Sequence, residues 1–160
     1  ALRRQIADVV SFLQRNIPGF ERAYLNWTSP QICIRRTRTI ICEYDISIDD
    51  ILMGRTFPDD VARYGFHDMA PRYMIKDGGS YGIPYKALLP KNIEGLLVAG
   101  RMITSEFLAH MSTRNTVSCM AQGHAVGTAA ALASRDNIAP RELAIKVLQD
   151  KLKEQGAYLG

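Results

Sequence analysis

At 160 residues the chain is long enough for one domain with a sizeable core, and 47% hydrophobic against 22% charged residues excludes a disordered chain. A net charge of +4 fits an anionic ligand or an acidic partner but does not call for nucleic acid, because the basic residues are scattered apart from "RRTR" at 35–38. No apolar run reaches the roughly 18 residues of a membrane span and no secretory signal opens the chain, so a cytoplasmic protein with no membrane or nucleic-acid partner is expected.

In chain order, Leu2, Ile6, Val9, Val10 and Leu13 share one helical stripe, and Pro18-Gly19 ends that helix. Residues 20–25 read as a short helix. Residues 31–47, rich in Ile, Thr and Tyr, read as one or two strands with Ile32, Ile34, Ile40 and Ile41 on their apolar faces. Ser47 is placed to cap a helical turn that Gly54 ends. Residues 55–80 read as irregular and 81–90 as extended, since Pro84 and Pro90 limit helix around Tyr85 and Lys86. The apolar run 95–99 reads as a strand buried on both faces, stopping at Gly100-Arg101. A loop with a short helix fills 101–115. A long helix runs from Val117 to Ser134 with Thr116 as its cap. A last helix, Pro140 to Gln155, carries Leu143, Val147, Leu148 and Leu152, and Gly156 stops it.

Cys33, Cys42 and Cys119 have no C-x-x-C spacing, and each is expected buried and reduced. His67, His110 and His124 show no ligand spacing with one another or with the cysteines, so no metal site is expected.

Two features of the second half point to a ligand. Gly123 and Gly127, with Ala121, Ala125 and Ala129, give the long helix a smooth face, although each glycine costs about 1 kcal/mol of helix propensity relative to Ala. Close packing on a sheet explains that face as well as a flat ligand does. The helix N-terminus presents N–H donors beside Arg114, which favours an anion or a carbonyl oxygen; the alternative is an ordinary capped helix with a solvated arginine. With Gly100 and Arg101 at the carboxyl end of a strand, the residues by themselves describe half of an anion- or dinucleotide-binding site.

At "YGIPYKALLPKNIEGLLVAGRMITSEFLAHMSTRNTVSCMAQGHAVGTAAALAS" the sequence resembles the C-terminal part of a family of FAD-dependent oxidoreductases, one distantly similar to the fumarate reductase and succinate dehydrogenase flavoproteins. The pattern is Y-G-I-P-Y-R-S-L-x-P, N-L-L-V-A-G-R, S-x-R and T-C-M-A-x-G-x-A-A-G-T-A-A-A-L-A. Upstream, "PGFERAYL" and "CIRRTRTIICEYDIS" are similar to further family segments, as is the C-terminal "APRELAIKVLQDKLKEQGAYL". The resemblance implies an α/β (α+β) fold, the C-terminal part of a two-domain, Rossmann-like FAD-binding flavoprotein. Residues 1–86 would form a substrate-side, cap-like segment, 87–134 the end of the FAD-binding domain, and 135–160 a helix packed on it.

The implied cofactor is FAD. Ala99, Gly100, Arg101 and Met102 would lie near its ribityl-pyrophosphate region. Arg114, Asn115, Thr116 and Val117 would lie at the pyrimidine end of the isoalloxazine, where a helix N-terminus stabilises negative charge. Arg35 and Arg38 match two arginines of the G-I-R-E-T-R motif; they suit a carboxylate or flavin oxygen, or surface pairing with Glu43 or Asp45. Tyr81 and Tyr85 match Y-x-I-P-Y and can orient substrate, relay a proton or simply pack. His67 stands in a loop where a titrating ring is useful. The pattern is broken at Cys33 and Cys42 (usually Gly), Arg36 (usually Glu), Val117 (often Pro), His124 (Gln or Glu) and Phe107 (often His).

The chain has no G-x-G-x-x-G, the unit that holds the ADP half of FAD, and "DGGSYG" is the nearest approach. The expected partner is therefore a larger flavoprotein chain or N-terminal half carrying that unit, in an oligomer, with 95–99 as one strand of a sheet found mostly elsewhere. The expected reaction is hydride transfer to or from a small organic substrate. A flavin-free scaffold subunit is the alternative, and a basic nucleic-acid-associated module a third.

Overall fold

The computed structural model describes residues 2–160, which divide into two compact units, 2–34 and 35–160. In the first unit, α1 (Leu2–Asn16) forms on the apolar stripe read above, yet none of its residues is buried, and Leu2 and Val9 are 49% and 56% exposed. Gly19, at φ +93°, turns the chain after α1. Residues 20–25 are not helical. Single turns close there through Phe20 N–H to Ile17 O and Ala23 N–H to Phe20 O, and the Glu21 carboxylate takes the Gly19 N–H instead of facing outward. One turn without propagation does not make a helix.

The second unit begins its regular structure at α2 (Ile48–Leu52). Ser47 Oγ accepts the Asp50 N–H and the Asp50 carboxylate accepts the Ser47 N–H, a capping box. Gly54 follows at φ +62°. Within the segment read as irregular, β1 (Asp60–Tyr64) pairs antiparallel with β2 (Tyr81–Pro84), with Ala62 opposite Ile83 and an irregularity between Asp60 and Ala62. Five residues with three buried in succession carry no alternation, so periodicity missed β1. A 3-10 turn, Tyr85–Leu88, follows β2 where an extended run was expected.

Next come α3 (Phe107–Thr113) and α4 (Thr116–Asp136), the latter packed on β1, and then α5 (Ile145–Glu154), packed on both. The core gathers Val61, Ile83, Ala125, Ala129, Leu148 and Leu152 between these elements. The last helix is shorter than its pattern suggested. Pro140–Glu142 is a separate 3-10 turn, because the Glu142 carboxylate folds back onto the Ala139 N–H, and Ala144 is extended. Val147 is 45% exposed, and Gly156 stops the helix at φ +86° as expected.

Two expected strands are absent. Residues 31–47 form no ladder: they meet other backbone through two isolated bridges, Cys42 to Pro90 and Ile46 to Ser105, and through single bonds such as Ile40 N–H to Met102 O and Tyr44 N–H to Lys86 O. The run 95–99 is not buried on both faces: Leu96 is exposed, and Val98, which is buried, donates its N–H to Leu88 O. A strand exists only where a neighbour completes its ladder, and the one sheet among the described residues is β1–β2. The cysteine expectation also fails in part: all three thiols are free and Cys42 is buried, but Cys33 is exposed and Cys119 only partly covered.

Candidate functional site

The first turn of α4 and the Gly100–Met102 turn lie against each other, joined by one side chain. Gln122 is fully buried on α4; its Oε1 accepts the Gly100 N–H at 2.7 Å, and its Nε2 donates to Thr113 O at 2.9 Å and Ser118 Oγ at 3.0 Å. Both ends of this amide are engaged by protein atoms, which locks the 100–102 turn to the α3–α4 junction. Gly100 adopts φ +84°, and a Cβ there would meet nothing nearer than Cys119 Sγ at 4.0 Å, so glycine is needed for its backbone and not for space. Cys119 Sγ in turn points at Arg114 O, 3.2 Å away. Burial pushes the Cys119 thiol up, against the opposing pull of Arg101, so it is a packed thiol and not a thiolate.

At the head of α4, Asn115 and not Thr116 is the N-cap, and its side chain makes no capping bond. The first N–H groups of an α-helix have no intrahelical partner, and Thr116 and Val117 are exposed there. Arg114 is not the solvated arginine of the alternative reading. Its side chain is 15% exposed, and its Nε and Nη2 both donate to Asp68 Oδ2, at 3.2 and 2.7 Å. Burial raises the Asp68 carboxyl, but Arg114, Asn115 and Arg35 outweigh it and hold it below its ordinary range. Arg35 approaches the same oxygen to 3.8 Å with a 59% exposed side chain; Glu43, one of its expected mates, pairs with Arg141 instead.

The structure therefore brings together Ala99–Met102 and Arg114–Val117, and places Arg35 beside the second group through Asp68. Arg38 lies exposed. The remaining catalytic candidates are engaged with protein atoms. His67 is 1% exposed; its Nε2–H donates to Leu108 O at 2.9 Å and its Nδ1 accepts the Met69 N–H at 3.1 Å, leaving no ring nitrogen for a substrate. Tyr81 is fully buried with its hydroxyl 2.8 Å from Ser112 Oγ, and burial pushes its pKa upward. Tyr85 donates to Pro140 O at 3.0 Å, and burial takes its pKa to about 12. Their hydroxyls tie β2 and the turn after it to α3 and to the segment before α5.

Sequence reading missed Gln122 and Asp68. Gln122 occupies an unspecified position of the small-residue pattern, and only the four-residue step from Ser118 hints at it. Asp68 adjoins His67, which drew attention in its place. His110, set aside as structural, is buried. Its Nε2–H donates to Arg35 O at 3.1 Å, while its Nδ1 has no hydrogen-bond partner among the described residues. Burial, with Arg36, Arg114 and Arg101, favours its neutral form.

A family model described as FAD dependent oxidoreductase matches residues 1–152. The chain belongs to that family, and the family's cofactor is FAD. No curated protein and no solved structure matches it. The residues present suit part of a flavin site: a glycine turn at positive φ, an uncapped helix start with exposed Thr116 and Val117, and the guanidinium of Arg101. No described helix is long and apolar enough to cross a membrane, and no described group of His, Cys, Asp and Glu is arranged to hold a metal ion.

Proposed function

We propose that this chain forms the isoalloxazine-side wall of the flavin site in an FAD-dependent oxidoreductase, acting on a small organic substrate. The observation that carries this reading is the Gln122 lock, which holds the Gly100–Met102 turn against the uncapped start of α4. Bound FAD supplies the redox chemistry, taking up or releasing a hydride equivalent. The chain's own part is to hold the flavin: Ala99–Met102 lie along it, Arg101 neutralises negative charge, and N–H groups from Asn115 to Val117 meet the oxygen-rich edge.

Absence of a G-x-G-x-x-G motif supports a partner polypeptide, or another part of a longer protein, that supplies the ADP-binding half. The exposed face of α4 supports the same partner. Additions at Gly123 and Gly127 would meet no atom within 4 Å, and Met120 between them and the helix start is 69% exposed. Two glycines in mid-helix cost stability without packing anything in this chain, which fits a surface that another backbone covers.

An absorbance spectrum from about 300 to 550 nm on protein from its native host, with a denaturing gel of the same fraction, tests the reading. Flavin bands with a second, larger polypeptide support it; a colourless 17.9 kDa species overturns it in favour of a flavin-free scaffold. Arg101→Ala in the assembled protein lowers retained FAD while leaving association intact, and unchanged flavin after gel filtration removes Arg101 from the site.

A further inference from the structure

Arg35 and Arg114 reach Asp68 from different parts of the chain, one from the extended segment before residue 47 and the other from the α3–α4 junction. Two guanidiniums on one carboxylate leave one positive charge uncompensated. The two arginines differ in how they are held. Arg114 is an anchored fork with two hydrogen bonds and little exposure. Arg35 stands beyond hydrogen-bond distance at 3.8 Å and is mostly exposed. A contact of that kind contributes little by itself and leaves a planar donor fork facing outward.

The surroundings add positive charge. Three cations, Arg36, Arg101 and Arg114, disfavour protonation of His110. The backbone carbonyl of Arg35 is fixed by the His110 ring, so the residue that carries the exposed fork is itself held in place.

We propose that Arg35, with Arg114 and Asp68 behind it, is a subsite for a single carboxylate of the substrate. Asp68 is a positioning residue: it aims Arg114 and offsets one of the two guanidinium charges. A carboxylate meets a guanidinium with two parallel hydrogen bonds, the geometry an exposed arginine fork offers. Because Arg114 directly precedes the N-cap of α4, a substrate carboxylate seated here borders the flavin edge described above. That link to redox chemistry rests on the proposed function; the anion subsite itself does not.

The test follows the arginine Nε–H signals of the full chain by nuclear magnetic resonance while sodium acetate replaces sodium chloride at constant ionic strength. Saturable shifts of the Arg35 and Arg114 signals are expected, with no response to acetamide. Arg35→Gln weakens acetate binding by about tenfold, the loss of one charge-assisted pair, and Arg35→Lys recovers only part of it. Asp68→Asn tightens binding by roughly threefold, since one competing negative charge is gone. Acetate binding that is indifferent to Arg35→Gln, or absent from the native chain, overturns the proposal. A repeat with saturating FAD separates the two sources of anion. Unchanged acetate binding supports a substrate subsite, whereas displacement assigns the arginines to the cofactor's phosphates and overturns it. The repeat uses the protein assembled with its partner from the native host; if that assembly holds no FAD, the proposed function fails while the acetate result stands.

Discussion

Residues 2–34 and 35–160 differ in a way that hydrophobic pattern alone does not foretell. The first unit has a clear amphipathic helix and buries no residue of it. Its apolar side, with Leu25 and Ile32 opposite, lines an open groove of about 760 Å³. In the second unit α4 shows little amphipathic contrast, yet Ala125, Ala129 and Leu132 sit in the core. An apolar stripe shows which face gains by being covered. Whether it is covered depends on what the rest of the chain brings to it, and α4 has β1 and α5 while α1 has only a short extended segment of its own unit.

This contrast can be broken by substitution, with stability read from urea unfolding. Gly82→Ala carries the largest expected effect, because a Cβ there would overlap the buried Asp60 carboxylate across the β1–β2 pair. A loss of about 3 kcal/mol or more is expected, and a neutral outcome would mean that the strand pair yields easily. Leu148→Ala, at a fully buried position, is expected to cost about 3 kcal/mol. Gln122→Ala strands the Gly100 N–H and the Thr113 carbonyl, for about 2 kcal/mol, and also lowers flavin retention. Loss of stability with flavin retention unchanged would separate the lock from the cofactor.

The pH dependence comes next. Burial of Asp60, opposed by the Phe57 N–H and Arg63, raises its carboxyl to about 6 from 3.8. The folded state then binds the proton more tightly than the unfolded one. This contribution is fully present below pH 3.8 and is lost as pH rises through about 6, on the order of 3 kcal/mol in all. Asp68, held below its ordinary value, acts in the opposite sense at lower pH, so the comparison with Asp60→Asn isolates the first effect. A slope between pH 4 and 6 that persists in Asp60→Asn removes Asp60 as its cause. The smallest effect belongs to the first unit: Val9→Ala, at a position 56% exposed, is expected to change stability by less than about 0.5 kcal/mol. A cost near that of Leu148→Ala would show that the α1 stripe is covered in solution.

Much of the helical structure was legible. The stripe of α1, the Ser47 cap, the reach of α4 and the glycine stop after α5 are local signals, decided within a few residues by spacing, capping and backbone freedom. The strands were not. Residues 31–47 and 95–99 have strand composition and no ladder, while 60–64 has little pattern and pairs with β2. Pairing is a relation between distant segments, so composition reports only a capacity for it. The candidate site divides the same way. Gly100, Arg101 and Arg114–Val117, singled out through motif order and the chemistry of a helix start, lie together in the fold, but His67, Tyr81 and Tyr85 looked available and are engaged by protein atoms.

By itself the sequence determined the family, the FAD cofactor and the turns where glycine and cap residues act, because each is written in residue identity at short range. Tertiary structure alone decided that Gln122 joins the 100–102 turn to the α3–α4 junction, that Asp68 gathers Arg35 and Arg114, and that the tyrosine hydroxyls are engaged by protein atoms. Those outcomes depend on burial and on which polar atoms find each other across the fold, and neither quantity exists until the chain has closed on itself.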